Sequence, residues 1–138
     1  MTDRVLLADD LDDIREAYKI SLEKVGFNVV AVDDGYNLYT ALKTNRFNVI
    51  LSDSDMPFMD GHEACRKAIC DKILDDKETL IIGMSEVSDN QKYWRGLAHV
   101  GCFYDKDYFH PERIGEKIAQ CLRNFRSGGL WKEKMPIL

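Results

Sequence analysis

Short apolar runs alternate with stretches of helical periodicity along nearly the whole chain. The runs around Val5-Leu6-Leu7-Ala8, Val29-Val30-Ala31-Val32, Val49-Ile50-Leu51, Leu80-Ile81-Ile82 and Cys102-Phe103-Tyr104 predict strands near 4–8, 28–32, 48–53, 79–84 and 101–105. Between them apolar residues return every three or four positions, which predicts helices near 12–25, 36–45, 62–74, 88–98 and 111–124. In the first helix Ile14, Ala17, Tyr18, Ser21, Leu22 and Val25 share one face, the expected buried stripe, with Tyr18 assigned to the core. Gly26 and Gly35 fall at a helix end and before a helix start, where glycine relieves backbone strain. The rhythm is βαβ, and the uninterrupted apolar runs at 49–51 and 80–82 suit strands covered by helices on both faces. The expected fold is therefore α/β, a doubly wound parallel sheet of five strands with five helices.

Composition narrows this picture. A chain of 138 residues, 45% of them hydrophobic, fits one domain with one core and leaves no room for a second. The formal net charge of -5, with Lys and Arg scattered among acids, opposes general affinity for nucleic acid or an anionic membrane. No signal peptide and no apolar run of about 18 residues is present, so a soluble, reduced, cytoplasmic protein is expected. The cysteines Cys65, Cys70, Cys102 and Cys121 lack close pairing, and His62, His99 and His110 show no helpful spacing; buried thiols are favoured over a zinc site.

Chemistry concentrates where strands end. The first predicted strand runs into Asp9 and Asp10 and the third ends on Asp53, and in a parallel sheet such ends open onto one crevice. Like charges that close are costly, and a divalent ion with a preference for oxygen ligands, such as Mg²⁺, would relieve them. The competing reading is that Asp9 and Asp10, with Asp12 and Asp13, only favour the start of the next helix. The fourth strand ends on Ser85, a hydrogen-bond donor, and the fifth ends beside Lys106, an ammonium able to neutralise a phosphoryl group or pair with Asp53. Each alone is common; all at one edge form a coincidence that asks for a function.

The residues Asp9-Asp10, the run Asp53-Ser54-Asp55-Met56-Pro57-Phe58-Met59-Asp60-Gly61, Ser85 after Ile81-Ile82-Gly83-Met84, and Lys106 three residues beyond Phe103 resemble the receiver domain of two-component response regulators, of the single-domain type seen in the chemotaxis regulator. The match covers residues 4 to about 124, and the DxxMPxMDG run is highly specific. The resemblance implies a flavodoxin-like sheet of order 2-1-3-4-5, a receiver domain over 1–125, and a short tail over 126–138 with no output domain. It implies that Asp53 is the phosphoacceptor in a Mg²⁺-dependent transfer from a sensor histidine kinase or a phosphotransfer protein. Asp10 and Asp53 would hold the ion with the backbone carbonyl of Asp55, and Asp9 would act through water. Ser85 and Lys106 would contact the phosphoryl oxygens, and Ser85 and Phe103 would carry the switch to a downstream protein target. Such a chain is not an enzyme beyond its own phosphorylation and dephosphorylation, and it binds neither nucleic acid directly nor a membrane.

Several residues depart from the family pattern. Glu86 stands where a small residue is usual, and its carboxylate is expected to screen the site. Asp55 adds an acid beside the metal, either as a modulator or as a solvated loop acid, and Asp107 replaces the usual proline after Lys106. The Gly101–Lys106 segment is about two residues shorter than common, which leaves the reach of Lys106 open. Trp131, Met135, Ile137 and Leu138 suit the tail for docking onto its own domain, a second copy in a homodimer, or a partner, against the reading of a frayed end. Tyr93-Trp94 marks either a partner face or core. Two alternatives to the switch stay open: a pseudo-receiver that binds partners without phosphorylation, and a haloacid-dehalogenase-type phosphatase with Asp53 as nucleophile and Asp55 as general acid.

Overall fold

The structure, a computed structural model, describes residues 2–75, 77–86, 91–95, 97, 100–106 and 111–128. Five strands, β1 (Arg4–Ala8), β2 (Asn28–Val32), β3 (Val49–Asp53), β4 (Leu80–Ser85) and β5 (Val100–Asp105), alternate with helices α1 (Asp12–Lys24), α2 (Gly35–Thr44), α3 (Gly61–Cys70), α4 (Gln91–Arg95) and α5 (Ile114–Arg126). The strands form one sheet in the order β2-β1-β3-β4-β5, every pair parallel. This is the doubly wound order expected above.

Alternation along the strands splits the core in two. Leu6, Ala8, Ile50, Ile81 and Phe103 face one side with Leu38 and Leu42 of α2, Ala64, Cys65 and Ala68 of α3, and Trp94 of α4. Val5, Leu7, Val49, Leu51, Leu80, Ile82, Met84 and Tyr104 face the other with Tyr18 and Leu22 of α1 and Ile114, Ile118, Cys121 and Leu122 of α5. Because both faces are covered, β1, β3 and β4 need an apolar residue at nearly every position, and that is why they read as unbroken runs. The parallel register sets Asp53 opposite Met84 and Ser85 opposite Asp105, so the carboxyl ends of β3, β4 and β5 lie along one edge.

Helix ends differ from expectation for local reasons. α3 stops at Cys70, short of 74, because Lys72 turns left-handed at φ 60 and the N–H groups of Ile73 and Leu74 both fold back to the carbonyl of Ala68. Val25 leaves the α1 stripe: it caps the helix and is exposed, and Gly26 at φ 102 makes the turn. α5 begins at Ile114 after a 3-10 turn at Pro111–Arg113. Of the helix expected over 88–98, Gln91–Arg95 is helical, while 88–90, 96 and 98–99 lie outside the described residues. β5 carries one extra residue opposite β4, between the pairs Ile81–Val100 and Ile82–Cys102. Among the cysteines, Cys65 is a buried thiol, Cys70 is free but exposed, and Cys121 is disulfide-bonded, so the expectation of buried thiols holds for Cys65 alone of these three. Asp107, His99, His110 and the tail from Gly129 onward lie outside the described residues. Among those described, no helix is long and apolar enough to cross a membrane.

Candidate functional site

The site grows from the edge where the parallel strands end. β1 delivers Asp9, whose N–H extends the ladder to the carbonyl of Val32. Asp9 is fully buried and fully engaged: Oδ1 accepts from the N–H of Leu11 at 3.0 Å, and Oδ2 accepts from Lys106 Nζ at 2.8 Å. The Arg15 guanidinium donates to its backbone carbonyl at 2.9 Å. Asp10 is exposed at the mouth. Of the acids read as favouring the start of α1, Asp12 and Asp13 stand in its first turn, while the N-cap position itself is Leu11.

β3 delivers Asp53, which is buried, with Oδ1 accepting from the N–H of Ser54 at 3.0 Å and Oδ2 lying 3.5 Å from Lys106 Nζ. Asp9, Asp10 and Asp53 each offer a carboxylate oxygen within 4.8 Å of the others. Burial, and then the charges of Asp9 and Asp10, push the Asp53 carboxyl up from 3.8 to about 7, against the opposing pull of Lys106 and the Ser54 N–H. Burial lowers Lys106, but the charge of Asp53 and the contact with Asp9 outweigh it, so this lysine titrates above its ordinary value. Its ammonium also stands 5.9 Å from the ring centre of Tyr18, the core tyrosine of α1. Lys106 therefore meets two of the three acids, Asp9 and Asp53, and Asp10 adds a further negative charge beside them. Excess negative charge and an all-oxygen donor set fit a hard divalent cation such as Mg²⁺.

Ser85 is buried at the end of β4 and Glu86 follows it, exposed, its charge acting on Lys106. Phe103, fully buried, points into the face shared by α2, α3 and α4. Asp55 is exposed and stands outside the trio of converging carboxylates. The loop after Asp53 is held tightly: the Gly61 N–H bonds the carbonyl of Ser54 at 3.0 Å, and a Cβ at Gly61 would overlap the carbonyl of Asp53. Within it Phe58 is 90% exposed at φ 70, a conformation that bulky residues rarely adopt.

Sequence reasoning missed the bond between Ser54 and Trp94. The Trp94 indole N–H donates to Ser54 Oγ at 2.7 Å, and that hydroxyl donates to the carbonyl of Met84 at 2.8 Å. Trp94 is core, which decides between the readings left open for it, while its neighbour Tyr93 is exposed and stacks on buried His62 with ring centres 4.9 Å apart. A polar residue directly after a strand-end acid was the available signal; its partner 40 positions away was not legible locally.

Comparison with known proteins places this geometry. Residues 5–104 match the family model of the response regulator receiver domain. The transcriptional regulatory protein CseB of Streptomyces avermitilis is 32% identical over 121 residues, 88% of this chain and 49% of that protein. The response regulator receiver protein CpdR of Brucella abortus is 42% identical over 65 residues, 47% of this chain and 54% of that protein. The chain thus spans about half the length of these curated relatives. Among solved structures, a CheY-like receiver domain protein of Methanospirillum hungatei superposes with a TM-score of 0.78 at 24% identity, covering 94% of this chain and 100% of its own. The chemotaxis response regulator CheY4 of Vibrio cholerae does so with a TM-score of 0.76 at 24% identity, covering 88% of this chain and 99% of its own. These two likenesses establish the fold.

Proposed function

This chain belongs to the response regulator receiver domain family, and from that premise we propose that it is a phosphoacceptor switch with Asp53 as the phosphorylated residue. Residues 1–125 form the receiver unit and 126–138 a tail. A carboxylate oxygen of Asp53 attacks phosphorus in line, forming the acyl phosphate as the bond to the donor breaks. The donor is a histidine kinase, a phosphotransfer protein or a small phosphodonor, whose imidazole or carboxylate leaves with the electron pair. Such transfer is chiefly positioning and charge neutralisation.

Each residue then has a task. Lys106, held between Asp9 and Asp53, neutralises the phosphoryl oxygens, and Ser85 donates a hydrogen bond to one of them. Asp10, Asp53 and the backbone carbonyl of Asp55 would hold Mg²⁺, with Asp9 acting through water. When bound, Mg²⁺ supplies the further positive charge that the transferred group requires. Phosphorylation adds roughly 1.5 to 2 negative charges; Ser85 follows them, Phe103 responds, and the altered surface is read by a downstream protein. On this reading the chain takes part in its own phosphorylation and dephosphorylation.

The convergence of Asp9, Asp10 and Asp53, with Asp9 and Asp53 meeting one buried lysine, carries this reading. Mg²⁺ together with beryllofluoride, a mimic of the phosphoryl group, should raise the thermal midpoint of the wild type above that with Mg²⁺ alone. Asp53→Asn should show no such added rise. An equal beryllofluoride response in both proteins would reject Asp53 as the acceptor.

A further inference from the structure

α4 carries a fully buried tryptophan, and its anchorage leads to the phosphoacceptor. The Trp94 indole lies on β4 so closely that a Cβ at Gly83 would overlap the ring. Its N–H donates to Ser54 Oγ at 2.7 Å, and Ser54 Oγ donates to the carbonyl of Met84 at 2.8 Å. The backbone N–H of Ser54 is shared, 2.9 Å from that same carbonyl and 3.0 Å from Asp53 Oδ1. His62 meets Trp94 edge-on, with ring centres 6.0 Å apart, so the start of α3 packs on the same indole. An unbroken path of buried hydrogen bonds thus joins the Asp53 carboxylate to α4.

Two features make this path sensitive to phosphorylation. A carboxylate accepts hydrogen bonds more strongly than a neutral acyl group, so converting Asp53 to the acyl phosphate weakens its hold on the Ser54 N–H. The Met84 carbonyl, where the path ends, belongs to the rigid peptide plane shared with Ser85. A shift of Ser85 toward a phosphoryl group therefore turns the acceptor on which Ser54 and Trp94 depend.

Resting on the phosphoacceptor reading of Asp53, we propose that Trp94 is a latch that holds α4 in the resting position and is released when Asp53 is phosphorylated. It is a positioning residue, acting through Ser54 and the Met84–Ser85 peptide. By linkage, a latch that favours the resting state opposes phosphoryl binding, so removing it favours that binding.

The chain holds two tryptophans, and Trp131→Phe leaves Trp94 as the sole indole. In that background, with Mg²⁺ and acetyl phosphate, the emission of Trp94 should move to the red and its quenching by acrylamide should rise in proportion to the phosphorylated fraction measured by intact mass. Trp94→Phe, which keeps a ring but loses the donor, should bind beryllofluoride about two- to tenfold more tightly in the presence of Mg²⁺, the equilibrium equivalent of one buried hydrogen bond. Ser54→Ala should give a similar gain, and the double variant little more, because both act on one path. Full phosphorylation with unchanged emission and quenching, together with unchanged affinity in Trp94→Phe, would overturn the latch and leave the phosphoacceptor reading standing. Absence of any adduct would instead overturn that reading, and the latch would then be decided by Asp53→Asn alone. Removing the charge next to the shared Ser54 N–H must change the quenching of Trp94, and unchanged quenching would overturn it.

Discussion

Asp53 and Lys106 pull the site in opposite directions, and both pulls are measurable. Burial raises Asp53 from 3.8 to about 7, so folding favours its protonated form. That contribution is complete below pH about 4 and is lost as pH climbs toward 7. Without metal, Asp53→Asn should exceed the wild type in stability above pH 7 by on the order of 2–4 kcal/mol, the gap closing toward pH 4 and shrinking when Mg²⁺ is added. Urea unfolding across this range tests it, and equal stability at pH 8 would count against it. Lys106 is the ion-pair partner of fully buried Asp9. Lys106→Met should cost about 3–5 kcal/mol in the metal-free protein, measured by the same unfolding curves, with part recovered at saturating Mg²⁺. Glu86 is exposed and its charge acts on Lys106. Glu86→Ala should speed phosphorylation by anionic acetyl phosphate roughly two- to fivefold at low ionic strength, fading as salt screens the charge. A rate that is unchanged or lower would remove the screening role of Glu86. These strand-end residues were legible in the sequence because the topology alone assigns them to one edge. The Ser54–Trp94 bond was not, because it joins residues 40 apart and follows no periodicity.

At the scale of elements, what the sequence reveals depends on how each element is covered. The strands were legible to within one residue at each end because sandwiching between helices demands continuous apolar runs. Helix ends were less so: α3 is closed by left-handed Lys72 where no glycine announces it, and α5 is preceded by a 3-10 turn over Pro111–Arg113. Contacts between helices carry equal weight and leave still less trace. Ser21, read from the sequence only as a stripe position, clasps α1 to the start of α5, donating to the carbonyl of Glu112 at 2.9 Å and accepting from the N–H of Gly115 at 3.0 Å. Ser21→Ala would leave that buried N–H unpaired and should lower stability by about 1–3 kcal/mol. Hydrogen exchange should show the loosening first in the opening turn of α5, and protection there equal to wild type would contradict the clasp.

The whole molecule separates its two tasks by face and edge. Helices α1 and α5 cover one side of the sheet, α2, α3 and α4 the other, and the acidic trio with Lys106 sits where the parallel strands end between them. A charge added there is felt at the ends of β1, β3 and β4 together, and a local reaction can thereby alter an outer surface. Everything depends on whether Asp53 accepts a phosphoryl group. The most direct measurement is intact-mass spectrometry after incubation with Mg²⁺ and acetyl phosphate, on the wild type and on Asp53→Asn. The account predicts a gain of one phosphoryl group, about 80 Da, in the wild type and none in the variant. An unmodified wild type, or an adduct that persists in Asp53→Asn, would contradict it, the former turning attention to a receiver fold that binds partners without phosphorylation.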